Sequence, residues 1–351
     1  MKIVHIVESF GGGVYEFLRL LTQKDKMNEH MIIFSRREET PFHFEQEFKK
    51  VTLVEVKMQR SISLLKDFNI CKSISGILKD CNPDIVHLHS SKAGAYGRLI
   101  NLFRFKKYKM IYNPHGLSFL RVNESKIKRT AYLVIEKLLC FISKTVIVGV
   151  SNAEYNKIAR YLSHRQARHI NNGIVSSNQV TSFSEIRYDF ATVGRICEQK
   201  NPSLFNTLAL NYPERRFLWI GDGDQRYLLT APNIEVTGWI SSKKEVIVKL
   251  MKSRIYTQLS KWEGLPLALL EAMSLGLPCL VTPCEGIQEI IEVEQNGQVI
   301  DFSLNGIDKQ INEIEVHYND YSVNSRQAVL EKYSVEIMVE KYQKLYVEVS
   351  G

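Results

Sequence analysis

The chain opens Met1-Lys2-Ile3-Val4-His5-Ile6-Val7-Glu8-Ser9-Phe10-Gly11-Gly12-Gly13-Val14-Tyr15-Glu16-Phe17-Leu18. An apolar run too short for a helix leads into a glycine cluster, and an amphipathic stretch follows, which is the order of a strand, a tight loop and a covering helix. Glycine lets a backbone approach an anion closely, and a helix N-terminus favours negative charge. A tight turn alone would select the same residues. The GxGxxG spacing of dinucleotide-binding loops is missing, because position 16 is Glu.

The same alternation continues outward. Strands are predicted at Ile3–Val7, Met31–Ser35, Ile85–His89, Met110–Asn113 and Thr145–Val150, with helices such as Val14–Gln23 and Ala93–Leu102 between them. It restarts with strands at Phe190–Val193, Arg216–Ile220, Ile234–Thr237, Ile255–Leu259, Pro278–Val281 and Gln298–Asp301. Apolar strands alternating with helices imply parallel sheets covered on both faces. The expectation is an α/β chain of two Rossmann-like doubly wound domains, 1–178 and 179–333, joined near the polar stretch 176–184. The last helical run, 334–351, has no strand after it and is expected to pack back on the first domain.

Hydrophobic residues make up 44% and charged residues 24%, a soluble globular balance. No run reaches the ~20 apolar residues of a membrane span, and the N-terminus enters a strand with no cleavage signal, so a cytoplasmic protein is expected. The six cysteines include no CxxC pair and read as reduced core thiols. Between Arg98 and Lys137 stand ten Lys/Arg against two acids, an excess equal to the whole chain's +8. That concentration points to an anionic partner on one face and not to general nucleic-acid binding.

Four further segments carry candidate chemistry. Tyr112-Asn113-Pro114-His115-Gly116 places a histidine at a strand's carboxyl end, where α/β sheets bind ligands. Thr192-Val193-Gly194-Arg195-Ile196-Cys197-Glu198-Gln199-Lys200 follows the first strand of the second unit with two cations suited to a diphosphate. Trp219-Ile220-Gly221-Asp222-Gly223-Asp224 has a D-x-D spacing that invites a metal, yet a glycine-rich turn selects Asp for backbone reasons, and the turn is the favoured reading. Lys261-Trp262-Glu263-Gly264-Leu265 precedes a helix of about ten residues, 266–275, with Pro266 at its first position, Glu271 inside it and Gly276 with Pro278 as its stop. Eight helical residues would set the two carboxylates ~12 Å apart. Glu271 lies in an apolar run where an unpaired carboxylate is costly, and sugar hydroxyls facing it would offset that cost.

Together these segments resemble the family 4 glycosyltransferases, which adopt the two-domain GT-B fold with the nucleotide-sugar site in the interdomain cleft. The strongest marks are Glu263-x7-Glu271 and Gly194-Arg195…Lys200. The resemblance implies transfer of a sugar from a nucleotide diphosphate donor with retention, with no metal and no cofactor beyond the donor itself. It implies that Arg195 and Lys200 bind the diphosphate with the backbone of Gly12 and Gly13, and that Glu271 binds the ribose. Glu263, beside Gly264 and Leu265, would contact the transferred sugar, His115 would line the acceptor side, and Gly221, Asp222 and Gly223 would lie near the base. His115, Arg195, Lys200 and Glu263 would then be the catalytic set. UDP is favoured as the commoner donor of such pathways, with a hexose or N-acetylhexosamine moved.

The basic stretch adds apolar residues Leu99, Ile100, Leu102, Phe103, Phe105, Leu117, Phe119 and Leu120 to its cations. Such a mixture suits an anionic membrane surface. The expectation is therefore a saccharide acceptor, lipid-linked, met at the inner face of the cell membrane during assembly of capsule, O-antigen or exopolysaccharide. A GT-B-fold nucleotide-sugar 2-epimerase and a non-catalytic binder of anionic polymers are the alternatives.

Overall fold

A computed structural model of the chain describes residues 1–59, 63–104, 107–120, 124–176 and 186–351. It forms two compact units, Met1–Asn172 with Val335–Gly351, and Gly173–Ser334. The chain thus changes unit at Asn172 and again at Ser334, where the sequence suggested 178 and 333. Residues 177–184 of the stretch read as the join lie outside the described residues.

In the first unit, β1 (Lys2–Phe10), α1 (Gly12–Lys24), β2 (Glu29–Arg36), β3 (Thr52–Glu55), α2 (Leu64–Cys81), β4 (Ile85–His89) and α3 (Ser91–Leu102) alternate as strand and crossover. They are followed by β5 (Lys109–Asn113), α4 (Lys126–Ser143), β6 (Val146–Gly149), α5 (Asn152–Ile158) and β7 (Ala167–His169). The sheet order is β3-β2-β1-β4-β5-β6-β7, with every pairing parallel. The order reverses between β1 and β4, so the loops after those strands diverge and leave a crevice at their carboxyl ends. Parallel strands are buried on both faces, which is why Ile3, Val4, Ile6 and Val7 are all fully buried.

The second unit has β8 (Tyr188–Val193), α6 (Pro202–Asn211), β9 (Phe217–Ile220), β10 (Ile234–Val236), α7 (Lys243–Leu250) and β11 (Ser253–Gln258). Then come α8 (Leu267–Ser274), β12 (Cys279–Val281), α9 (Glu285–Glu294), β13 (Gly297–Val299), α10 (Ile307–Val316) and α11 (Tyr318–Lys332). The order β10-β9-β8-β11-β12-β13 reverses between β8 and β11. Phe190, Phe205, Phe217 and Trp219 form its aromatic centre.

Helix α12 (Val335–Ser350) returns to the first unit. Val335, Met338, Val339, Tyr342, Leu345 and Tyr346 are buried at helical spacing. Its polar tips reach into the sheet: Asn113 Nδ2 donates to the Tyr342 hydroxyl at 2.5 Å, and the Tyr346 hydroxyl lies 3.0 Å from His87 Nδ1.

The surface expected of the basic stretch is corrected in part. Arg98 is fully buried, its Nη2 2.8 Å from Glu136 Oε2, so one cation and one acid of that count belong to the core. Ile100, Leu117 and Phe119 are core as well, while Phe103 is 85% exposed. Phe105, Lys106 and Arg121 lie outside the described residues. Leu99 and Leu102 are exposed too, and α4 further exposes Ile127, Val134, Leu138 and Phe141 along one face, with Ile135 beside them. Steps of seven, four and three residues keep those four on one stripe. Lys126, Lys137 and Lys144, all exposed, flank it.

Candidate functional site

In the second unit the loop after β8 meets the loop after β11, where the sheet order reverses. Lys200 closes a short 3-10 turn, Glu198–Lys200, and its Nζ lies 2.7 Å from Glu263 Oε1. The same oxygen accepts from Ser260 Oγ at 3.0 Å and from Gln258 Nε2 at 3.4 Å. Gln258 is held in turn by the buried Tyr256 hydroxyl, which donates to its Oε1 at 2.6 Å. Backbone links lock the two loops: Lys261 N–H donates to Gln199 O, and Gln199 Nε2 donates to Trp262 O. Glu263 is therefore an oriented carboxylate with three donors, and Lys200 is an ammonium fixed in place before any ligand arrives. Arg195, five residues before Lys200, is exposed.

Glycines explain how the loops come so close. Gly221 has φ +139°, and a Cβ there would sit 2.2 Å from Gly194 O; at Gly223 it would sit 2.3 Å from Ile196 O. The Gly-Asp-Gly turn is thus laid directly on the 194–196 backbone, with Ile196 N–H donating to Asp222 O. Asp222 itself accepts from Gly223 N–H at 2.9 Å and pairs with Arg226 at 3.1 Å, and Asp224 is exposed. Gly221→Ala is expected to cost about 2–4 kcal/mol of stability, from backbone strain and a clash with a carbonyl that cannot move aside. Gly13→Ala, whose Cβ would meet nothing within 4 Å, should change stability by under ~1 kcal/mol. Urea unfolding of the two variants checks both.

Helix α8 is shorter than expected. Pro266 is its N-cap with extended backbone (ψ 127°), and the helix covers Leu267–Ser274 before Gly276 turns the chain at φ +75°. Leu265 is buried against it and Gly264 is half-buried. Glu271 is buried and forms an ion pair with Lys243, the first residue of α7. The cost of its burial is offset by that ammonium, a partner that sequence reasoning did not identify.

In the first unit Gly12 and Gly13 open α1. Gly11 is its N-cap and supplies no side-chain hydrogen bond, and no acidic residue lies in the first turn. The first amides keep their donor character toward an anion. His115 follows β5 at φ +50°, and its ring packs edge-on against Phe17 of α1, 4.9 Å between centroids. Glu154, which the sequence reading passed over, holds this turn: it accepts from Gly116 N–H at 2.9 Å and from Val150 N–H at 2.8 Å. Burial pushes the His115 imidazole down to about 4, so it is neutral at pH 7.

Two parallel doubly wound units, each with a strand order that reverses within its sheet, make up the GT-B fold. The family model described as "Glycosyltransferase Family 4" matches residues 10–177, and that described as "Glycosyl transferases group 1" matches 187–314. This chain belongs to glycosyltransferase family 4. A similar curated protein is the UDP-Gal:alpha-D-GlcNAc-diphosphoundecaprenol alpha-1,3-galactosyltransferase of Escherichia coli, 29% identical over 325 residues, covering 82% of this chain and 81% of that one. The O-antigen biosynthesis glycosyltransferase WbnH of Escherichia coli is 25% identical over 290 residues, 80% of each chain. Among solved structures, Alr3699/HepE of Anabaena, in complex with UDP and glucose, superposes at a TM-score of 0.80 with 14% identity over 99% of both chains.

Proposed function

We propose that this glycosyltransferase moves a hexose or N-acetylhexosamine from a UDP-sugar, with retention and without a metal, to a lipid-linked saccharide in surface-polysaccharide assembly. The observation that carries the donor half is the Lys200–Glu263 pair, held by Ser260 and Gln258 at the carboxyl end of β11. Departure of the nucleoside diphosphate builds negative charge on its β-phosphate, and a preorganised cation lowers that barrier without reorganising at the moment of reaction. Lys200 and Arg195 supply it. Glu263 meets the sugar hydroxyls, Glu271 the ribose, and the Gly221–Gly223 turn the base. In the first unit, Gly12 and Gly13 offer backbone amides to an anion, and His115 meets the acceptor. The relatives' names support the acceptor half, since one acts on a diphosphoundecaprenol-linked sugar and another in O-antigen biosynthesis.

The donor reading is tested by calorimetry with UDP-, GDP- and dTDP-sugars, each with and without EDTA. Tight binding of a UDP-sugar that survives EDTA is expected. A strict need for magnesium or manganese removes the metal-free claim, and sugar epimerisation without an acceptor favours the epimerase alternative.

The α4 stripe supports a membrane-facing role. Among the described residues no helix is long and apolar enough to cross a membrane. An apolar stripe bordered by lysines can instead lie in the interface plane of an anionic bilayer, burying Leu and Phe while the ammonium groups meet headgroups. Leu138→Asp with Phe141→Asp should lower sedimentation with phosphatidylglycerol vesicles at least ~10-fold at low salt. Sugar transfer to a water-soluble acceptor should persist in the same variant.

A further inference from the structure

Behind His115 the first unit carries a line of histidines that the donor chemistry does not use. His115 Nε2 lies 3.1 Å from His89 Nδ1, and His89 Nε2 lies 3.0 Å from His5 Nδ1. His5 Nε2 lies 3.0 Å from His30 Nδ1, and His30 Nε2 lies 3.2 Å from Asp25 Oδ2. His5 and His89 are fully buried, and His30 and Asp25 nearly so. Each link joins one ring nitrogen to the next, so four hydrogen bonds connect five groups.

The direction of the chain follows from proton counting. An ionised carboxylate only accepts, so the His30 proton sits on Nε2. With one proton per ring, His30 Nδ1 accepts from His5 Nε2, His5 Nδ1 from His89 Nε2, and His89 Nδ1 from His115 Nε2. Four protons fill four bonds. Nothing remains for His115 Nδ1, which is left as a lone pair. Burial, with neighbouring histidines adding to it, holds His5 and His89 well below the usual imidazole range, so neither of these two rings carries an extra proton. Burial pushes the Asp25 carboxyl up, but hydrogen bonds from His30, Asn28, Gln343 and Met27 N–H outweigh it and keep the group ionised. Asp25 is thus an anchor for the chain and not a store for its protons.

We propose that Asp25, acting through His30, His5 and His89, fixes His115 as the Nε2–H tautomer and so presents an unprotonated Nδ1 to the ligand. The four are positioning residues. A lone pair there selects for a hydroxyl and against a second acceptor such as a phosphate oxygen. This deepens the proposed function, because it rests on His115 meeting a sugar hydroxyl. His87 is the internal control: it lies in the same buried cluster but off the chain, bonded to Asn113 Oδ1 and the Tyr346 hydroxyl.

The test is nitrogen-15 NMR of imidazole-labelled full-length protein at neutral pH without donor, with His115 assigned from its loss in His115→Gln. The Nε2–H form should exceed the Nδ1–H form at least ~10-fold, as one satisfied buried hydrogen bond dictates. In His30→Leu or His5→Leu the ratio should fall toward one, and in His87→Gln it should hold. A protonated Nδ1 in the unsubstituted protein overturns the proposal, as does an unchanged ratio in His30→Leu. The nitrogens of His5, His87 and His89 lie within 4.8 Å of one another. One equivalent of bound metal by elemental analysis, with His5 and His89 signals that shift on chelation, also overturns it. The measurement needs no nucleotide, so its outcome is independent of whether UDP-sugars bind.

Discussion

Lys200→Ala should lower kcat about 10²–10³-fold, the loss seen when one preorganised charge-stabilising donor is removed. Donor KM should change far less, because the ammonium acts mainly on charge that develops in the transition state. Removal also strips the half-buried Glu263 of its only charged partner among the described contacts, leaving Ser260 and Gln258 to hold a carboxylate. A charged hydrogen bond lost there should cost about 1–3 kcal/mol of stability. Adding Glu263→Gln to Lys200→Ala removes the uncompensated charge, so stability should recover while activity stays low. Steady-state kinetics and urea unfolding on the same preparations separate the two effects. Recovery of activity together with stability would show that Lys200 serves only the fold.

The second large effect lies away from the site. Arg98 is fully buried, with Nε donating to Gly94 O at 2.8 Å and its guanidinium carbon 4.4 Å above the Tyr112 ring. Glu136 answers it and also accepts from the Tyr112 hydroxyl at 3.0 Å. Glu136→Ala leaves a full positive charge in the core and should destabilise the protein by about 3–5 kcal/mol. A buried pair is itself no large source of stability, since both ions lose their water. Replacing all three groups together, R98M with E136L and Y112F, should therefore return most of the loss. Guanidinium unfolding of the single and triple variants decides it; a triple variant as weak as Glu136→Ala would show that the network is worth more than apolar packing.

The strands were legible because a parallel sheet covered on both faces reads as runs of Ile, Val and Leu. β3 (Thr52–Glu55) and β7 (Ala167–His169) were not, being short edge strands of mixed polarity, with the ends of β3 exposed. At the site, Lys200 and Glu263 stood out because glycines and a proline flank them. Their supports did not: Ser260 and Gln258 are common polar residues whose meaning comes from geometry, and Lys243 reaches Glu271 across 28 residues. Of the apolar residues in the basic stretch, Leu99, Leu102 and Phe103 are exposed as expected, whereas the exposed face of α4 was not singled out. Composition locates charge, but only packing shows that Ile100 and Phe119 turn inward while Leu138 and Phe141 turn out. The histidine line had a faint signal, a polar ring two residues from another inside the apolar Ile85-Val86-His87-Leu88-His89. Its histidines bond one another across 25 to 84 residues, and only His30 and Asp25 are near in sequence, so no local spacing announces the line.

Helix α12 has a consequence for how the protein is made. The second unit is one contiguous segment, whereas the first is assembled from residues 1–172 and 335–351. On the ribosome the first sheet emerges early, yet the apolar side over which Tyr342 and Tyr346 close stays bare until the second unit has been synthesised. His87 and Asn113 wait for those hydroxyls over the same interval. Nascent chains halted before residue 335 should therefore hold a folded second unit beside a first unit open to chaperones and proteases.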